Sequence, residues 1–181
     1  MTGPAPTGTH RVWNAVRDLD GSPELIINVQ GDLPFLPPLA IQAVVTLLRS
    51  GARVATVATP WPPDVPIENP AVVKVEINTE GTATRFTRAA IDSAWRHVGI
   101  YGFRREALRQ AIAADRAPNA SEDLEQLAWM EVGLPIDVAV IADAGPSVDT
   151  PEQLENARRF LMDPMYPSAD PQVTSALEVP E

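Results

Sequence analysis

Apolar positions along this chain recur at helical spacing in some stretches and at strand spacing in others. In residues 11–19, Val12, Trp13, Val16 and Leu19 keep helical spacing, with Thr9 as the expected N-cap. Asp20-Gly21-Ser22-Pro23 breaks that helix. Residues 25–29 read as a strand that is apolar on both faces except at Asn28, the pattern of a strand covered on both sides. Pro34, Pro37 and Pro38 stiffen the next loop, and Pro38 suits the first turn of a helix running to Arg49 and ended by Gly51. Residues 53–59 form a second β-rich run. Residues 72–77 and 82–87 flank the turn Asn78-Thr79-Glu80-Gly81, which predicts a β-hairpin. A strand over 95–103, helices over 105–114 and 122–132, a strand over 136–141 and a helix over 151–162 follow. The last helix has Asp149 or Thr150 as cap and Glu152 in its first turn. Residues 163–181 lack periodicity and are expected to form a disordered tail, which leaves 1–162 as the domain. The order of elements predicts an α/β fold, a mostly parallel sheet with an inserted β-hairpin arm.

Composition narrows the function. With 181 residues, 45% of them hydrophobic, the chain can bury one sizeable core. Its net charge of −10 leaves no basic patch for a nucleic-acid backbone, so nucleic acid is excluded as a partner. Anionic substrates would need local arginine, lysine or a metal against that field. The absence of cysteine removes disulfides, thiolate catalysis and cysteine-based zinc sites, and fits a reducing cytoplasm. The first residues are rich in Pro, Gly and Thr and do not read as a signal peptide, and no apolar run is long enough to span a bilayer.

Candidate chemistry begins at Ile26-Ile27-Asn28-Val29-Gln30-Gly31-Asp32, a strand stopped by a glycine and a carboxylate. Ligands of α/β proteins gather at the carboxyl ends of strands. Asp32 there is either a turn former or a ligand for Mg²⁺ beside a phosphate. Asp149 is either a helix cap or a second carboxylate folding back beside Asp32. His97, Gly99 and Tyr101 alternate on one strand face, which leaves room between two hydrogen-bonding groups for a polar ligand such as a sugar. Glu125-Gln126 reads first as a solvated helix face, and Arg88 as a surface arginine or a bidentate partner of a substrate carboxylate.

Six segments together resemble the 3-deoxy-manno-octulosonate (Kdo) cytidylyltransferases. They are Thr7-Gly8-Thr9-His10-Arg11, Asn28-Val29-Gln30-Gly31-Asp32-Leu33-Pro34, Phe86-Thr87-Arg88-Ala89, Arg96-His97-Val98-Gly99-Ile100-Tyr101, Leu124-Glu125-Gln126-Leu127 and Val148-Asp149-Thr150-Pro151-Glu152. The resemblance covers roughly residues 1–160 and implies a Rossmann-like nucleotidyltransferase sheet. It also implies a cytoplasmic homodimer, with no membrane partner, that joins CMP from CTP to Kdo for lipopolysaccharide synthesis. By the same resemblance Asp32 and Asp149 are catalytic and hold Mg²⁺. Arg88, His97, Tyr101, Glu125 and Gln126 would line the sugar-acid pocket, and Thr9, Arg11 and Gln30 would lie near the nucleotide.

The chain departs from the family pattern at His10, Leu33, Thr87 and Ala90, positions where substrate fit could change. Leu33 and Ala90 leave open a cytidylyltransferase for another sugar acid, such as a neuraminic-type or amino-Kdo substrate. The family's opening strand and glycine-rich loop for the CTP triphosphate have no counterpart here. The resemblance therefore implies an N-terminally truncated sheet short of about two βα units, on the order of 60–80 residues. The expectation is a chain poorly soluble and inactive alone, and a non-catalytic sugar-acid-binding or dimerisation remnant is the alternative.

Overall fold

The computed structural model describes residues 3–114 and 124–162, with side chains described through residue 159. The expected tail and the first residues of the expected 122–132 helix lie outside the described residues. The elements are α1 (Gly8–Val16), β1 (Leu25–Val29), α2 (Pro38–Arg49), β2 (Val54–Thr59), β3 (Lys74–Ile77), β4 (Ala83–Thr87), β5 (Trp95–Arg104), α3 (Arg105–Ala114), α4 (Glu125–Glu131), β6 (Ile136–Val140) and α5 (Pro151–Met162).

Six strands form one sheet in the order β4-β3-β5-β2-β6, with β1 also paired to β5. The first half of β5 pairs with β3 and the second half with β1, while β2 runs along its other edge. The α/β class and the β3–β4 hairpin match expectation. The mostly parallel sheet needs correcting at the level of pairing. β2–β6 is a parallel pair, whereas β1–β5, β2–β5, β3–β5 and β3–β4 are antiparallel. These senses make β1, β2, β3 and β6 point one way, with β5 running against them in the middle. Hydrophobic periodicity reports which faces are buried and not which way a strand runs.

Both faces of the sheet are covered. On one, α2 packs Ala40, Val44 and Leu48 against Ala55, Val57, Val98 and Ile100. On the other, α3 and α4 bring Leu108 and Trp129 onto Val54, Tyr101 and Phe103. Alternation along β5 divides the layers, since 98 and 100 face α2 while 101 and 103 face α4. Gly102 is the point of closest approach to α2. A Cβ there would meet Leu48 at 2.7 Å and Ile27 at 3.2 Å, and would strike Val44 harder still.

The cap of α1 is Thr7, not Thr9. Thr7 Oγ1 accepts from His10 N at 3.3 Å, which starts the helix at Gly8 and leaves Thr9 inside it, only 4% exposed. Among the described residues no helix is long and apolar enough to cross a membrane.

Candidate active site

Where β1 ends, the chain turns through Gln30 and Gly31 to Asp32. The loop after β6 comes back to it, and Val148 N–H donates to the Asp32 carbonyl at 2.8 Å. This one backbone bond brings Asp149 beside Asp32 from 117 residues further along the chain (149 − 32). The cap of α5 settles what Asp149 is not doing. Thr150 Oγ1 accepts from Gln153 N at 3.2 Å, and Gln153 Oε1 accepts from Thr150 N at 2.9 Å, a reciprocal capping box. Gln153 Oε1 also takes the Asp149 N–H at 2.6 Å. The Asp149 carboxylate is not needed to cap the helix.

Asp32 has its pKa raised above 3.8, first by burial and then by the charge and side chain of Asp149, against the pull of its own backbone N–H. Its Oδ1 is buried without a hydrogen-bond partner. A buried carboxylate oxygen left bare beside a second carboxylate is costly unless a cation completes it.

Beside this pair opens a cavity of about 290 Å³. Its wall on the sheet side is the first half of β5. Between Thr56 and Val57 the register to β5 jumps from Tyr101 to Val98, so Gly99 and Ile100 bulge without partners on β2. The Thr56 hydroxyl donates to the freed Ile100 carbonyl at 2.7 Å, and His97 Nε2 lies 3.0 Å from Thr56 Oγ1. Since that hydroxyl proton is committed to Ile100, His97 carries its proton on Nε2 and presents Nδ1 as an acceptor. The room expected at Gly99 for a ligand is taken instead by the Gln30 carboxamide, whose Cδ lies 3.0 Å from where a Cβ would sit.

Further along, the Tyr101 hydroxyl accepts from Gln126 Nε2. Gln126 is only 6% exposed, so it is no part of a solvated helix face. Tyr101 stands edge-to-face on Trp129, centroids 5.2 Å apart, which fixes its ring. Burial pushes the Tyr101 pKa well above 10, so the phenol keeps its proton to donate.

His97 is also neutral. Burial lowers its pKa to about 3, against 6.5 in the unfolded chain. Its contribution to stability is therefore complete above pH 6.5 and is lost as pH falls towards the folded value. Urea unfolding at pH 5 and 7.5 should show wild type losing stability at pH 5, with a smaller loss in His97→Gln. An equal loss in both proteins would mean that His97 is not held neutral.

The other expected site residues divide. Glu125 lines the cavity, but its carboxylate also accepts from Gly8 N at 3.1 Å and Thr9 N at 3.3 Å, anchoring the start of α1. Thr9, Gln30 and Arg88 line the cavity. Arg88 Nη1 donates to Pro70 O at 2.9 Å, and the Arg88 carbonyl accepts from Lys74, a fully buried lysine that also bonds Asn69 O. Arg11 is the exception. It is exposed on α1 and not among the residues that line the cavity, because helical periodicity turns it away from buried Thr9. Asn28, Arg96 and Ser147 also line the cavity and were not expected there. Asn28 had a signal, as the one polar side chain in its strand and two residues from Gln30. Arg96 and Ser147 had none, since only the returning loop brings them together.

Fold and site together are those of a nucleotidyltransferase, with carboxylates at a strand end beside a polar pocket that holds arginines. The family model described as cytidylyltransferase matches residues 1–160. A 3-deoxy-manno-octulosonate cytidylyltransferase of Anaeromyxobacter dehalogenans (strain 2CP-C) is 42% identical over 172 residues, covering 89% of this chain and 70% of the relative. One from Parvibaculum lavamentivorans is 41% identical over 168 residues. The solved structure of CMP:2-keto-3-deoxy-manno-octonic acid synthetase complexed with CTP superposes with a TM-score of 0.77 at 30% identity, over 87% of this chain and 69% of that one. The chain belongs to the 3-deoxy-manno-octulosonate cytidylyltransferase family. An inositol-1-phosphate CTP transferase from T. maritima, 15% identical with a TM-score of 0.60, shares the fold.

Proposed function

We propose that this chain transfers CMP from CTP to Kdo, releasing pyrophosphate. The observation that carries the reading is the meeting of Asp32 and Asp149 beside the His97–Tyr101 face in one cavity. The substrates are those for which the relatives are named. In the reaction the anomeric hydroxyl of Kdo attacks the α-phosphorus. The new O–P bond forms as the hydroxyl proton passes to solvent, the bond from the α-phosphorus to the bridging oxygen breaks, and pyrophosphate leaves with that electron pair.

The residues present fit a divalent cation, Mg²⁺. The bare, buried Asp32 Oδ1 next to Asp149 is the donor set of a hard cation. Among the described residues no cluster of three acidic, histidine or cysteine side chains exists, so substrate phosphates and water would complete the coordination. Bound there, the metal supplies charge neutralisation at the phosphoryl group and acidifies the sugar hydroxyl. The chain's own part is placement. His97 Nδ1 accepts from a sugar hydroxyl, and the Tyr101 hydroxyl, held by Gln126, donates to another. Arg88 and Arg96 put positive charge into the cavity wall of a protein of net charge −10, which suits a sugar acid. A cytoplasmic homodimer serving lipopolysaccharide synthesis goes with this reading.

The test is pyrophosphate release from CTP, Kdo and Mg²⁺ by the purified chain, with Kdo omitted and Asp32→Ala as controls. Kdo-dependent release that disappears in the variant is the expected result. Release that ignores Kdo, or that survives in Asp32→Ala, overturns the reading.

A further inference from the structure

The proposed metal pair has an unusual weakness. Asp149 comes from the segment between β6 and α5, residues 141–150, which has no regular structure. Its place beside Asp32 depends on what holds that loop. At its start Ile141 N–H donates to Ala58 O at 3.0 Å, which continues the sheet. Near its end Val148 N–H donates to Asp32 O at 2.8 Å. Midway, Gly145 turns at φ 72°, and a Cβ on it would lie 2.9 Å from both the Cβ and the carbonyl oxygen of Phe35. At that turn the Gly145 carbonyl accepts from Arg96 Nη2 at 3.2 Å.

Arg96 lies on β5 immediately before His97 and itself lines the cavity. On the neighbouring strands its partners in register are Thr59 and Lys74. Its guanidinium is planar and has several N–H groups, so it can bond the loop with one arm and still place charge in the cavity. A lysine at this position would be a single flexible point charge.

From this geometry we propose that Arg96 is a positioning residue. It latches the Asp149 loop to the strand that carries His97, and so holds the two carboxylates at the spacing a divalent cation requires. The inference rests on the metal reading above. It gives Arg96 a role in metal affinity, exerted through Gly145 and Asp149, rather than in contact with the metal. Partners that orient a metal ligand, when removed, cost about tenfold or more in affinity.

The experiment is a Mn²⁺ titration of the full 181-residue chain, followed by the loss of free-ion electron paramagnetic resonance signal. Arg96→Met, Arg96→Lys, Gly145→Ala and Asp149→Asn are compared with wild type, and each melting curve is recorded beforehand. Arg96→Met is expected to weaken Mn²⁺ binding about tenfold, with a melting curve close to wild type. Arg96→Lys should weaken it less. Gly145→Ala pushes the loop off Phe35 with Arg96 intact and calibrates the effect of a displaced loop, while Arg96→Gln supplies the answer if Arg96→Met does not fold. Asp149→Asn should lose most of the binding. Wild-type affinity in Arg96→Met, alongside loss in Asp149→Asn, would overturn the latch and leave the metal reading standing. Unchanged binding in Asp149→Asn would overturn the metal reading and the latch with it.

Discussion

Asp32→Asn is expected to make the metal-free chain more stable while removing its chemistry. Burial and the neighbouring Asp149 hold the Asp32 pKa above its ordinary value. The folded state therefore binds that proton more tightly than the unfolded one. Stability from this group is present below pH 3.8 and is lost as pH rises through the folded value. Above that range the group opposes folding, and Oδ1 is buried without a partner. Asparagine removes the charge at nearly constant shape. In chelator at pH 7.5 the melting temperature of Asp32→Asn should exceed that of wild type, and the difference should shrink towards pH 4. With metal and substrates present, pyrophosphate release should fall by about a hundredfold or more, the scale of lost charge stabilisation at a transferring group. A variant no more stable than wild type in chelator would show that the pair carries no electrostatic strain. Such strain is the usual state of a site built to receive a cation rather than to stabilise its own fold.

Trp129→Ala should have the largest effect on stability. Trp129 is 2% exposed and stands edge-to-face on Tyr101 and Phe103, with centroids 5.2 and 5.3 Å away. Truncation removes this packing and leaves a void between α4 and the sheet, at a cost of about 3–5 kcal/mol. Against a total of about 5–15 kcal/mol for a domain, that is a large fraction. Urea unfolding measures it, with Val132→Ala, 53% exposed, as the comparison expected to change stability by less than about 0.5 kcal/mol. A cost below about 1 kcal/mol for Trp129→Ala would mean that α4 is not packed as described. The effect reaches the site as well, because Tyr101 loses the ring that fixes its hydroxyl.

Much of this was legible in the chain itself. Periodicity, with its proline, glycine and cap signals, placed α2, α3, α5 and the β3–β4 hairpin closely, since each depends on residues near in sequence. The alternation of His97, Gly99 and Tyr101 placed all three on one face, and they line one cavity. Alternation follows from strand geometry whatever the partner strand. The stop of β1 just before Gly31 and Asp32 was equally local.

What the chain did not reveal depends on contacts between distant segments. The antiparallel course of β5 through the sheet is one case, because burial of both faces looks the same for either direction. The two-residue bulge opposite Thr56, which sets the His97 tautomer, is another. At Asp149 the residues alone allowed either a cap or a ligand. The structure gives the cap to Thr150 and Gln153 and ties Val148 to Asp32, which leaves the Asp149 carboxylate free of the cap and beside Asp32. Lys74, Arg96 and Gln126 each follow an ordinary local pattern and gain their meaning from what packs against them. Sequence determined the elements and the faces they bury, because backbone geometry and hydrophobic period act over a few residues. Tertiary structure decided which polar groups meet, because hydrogen bonds and buried charge depend on distances that only the packed chain defines.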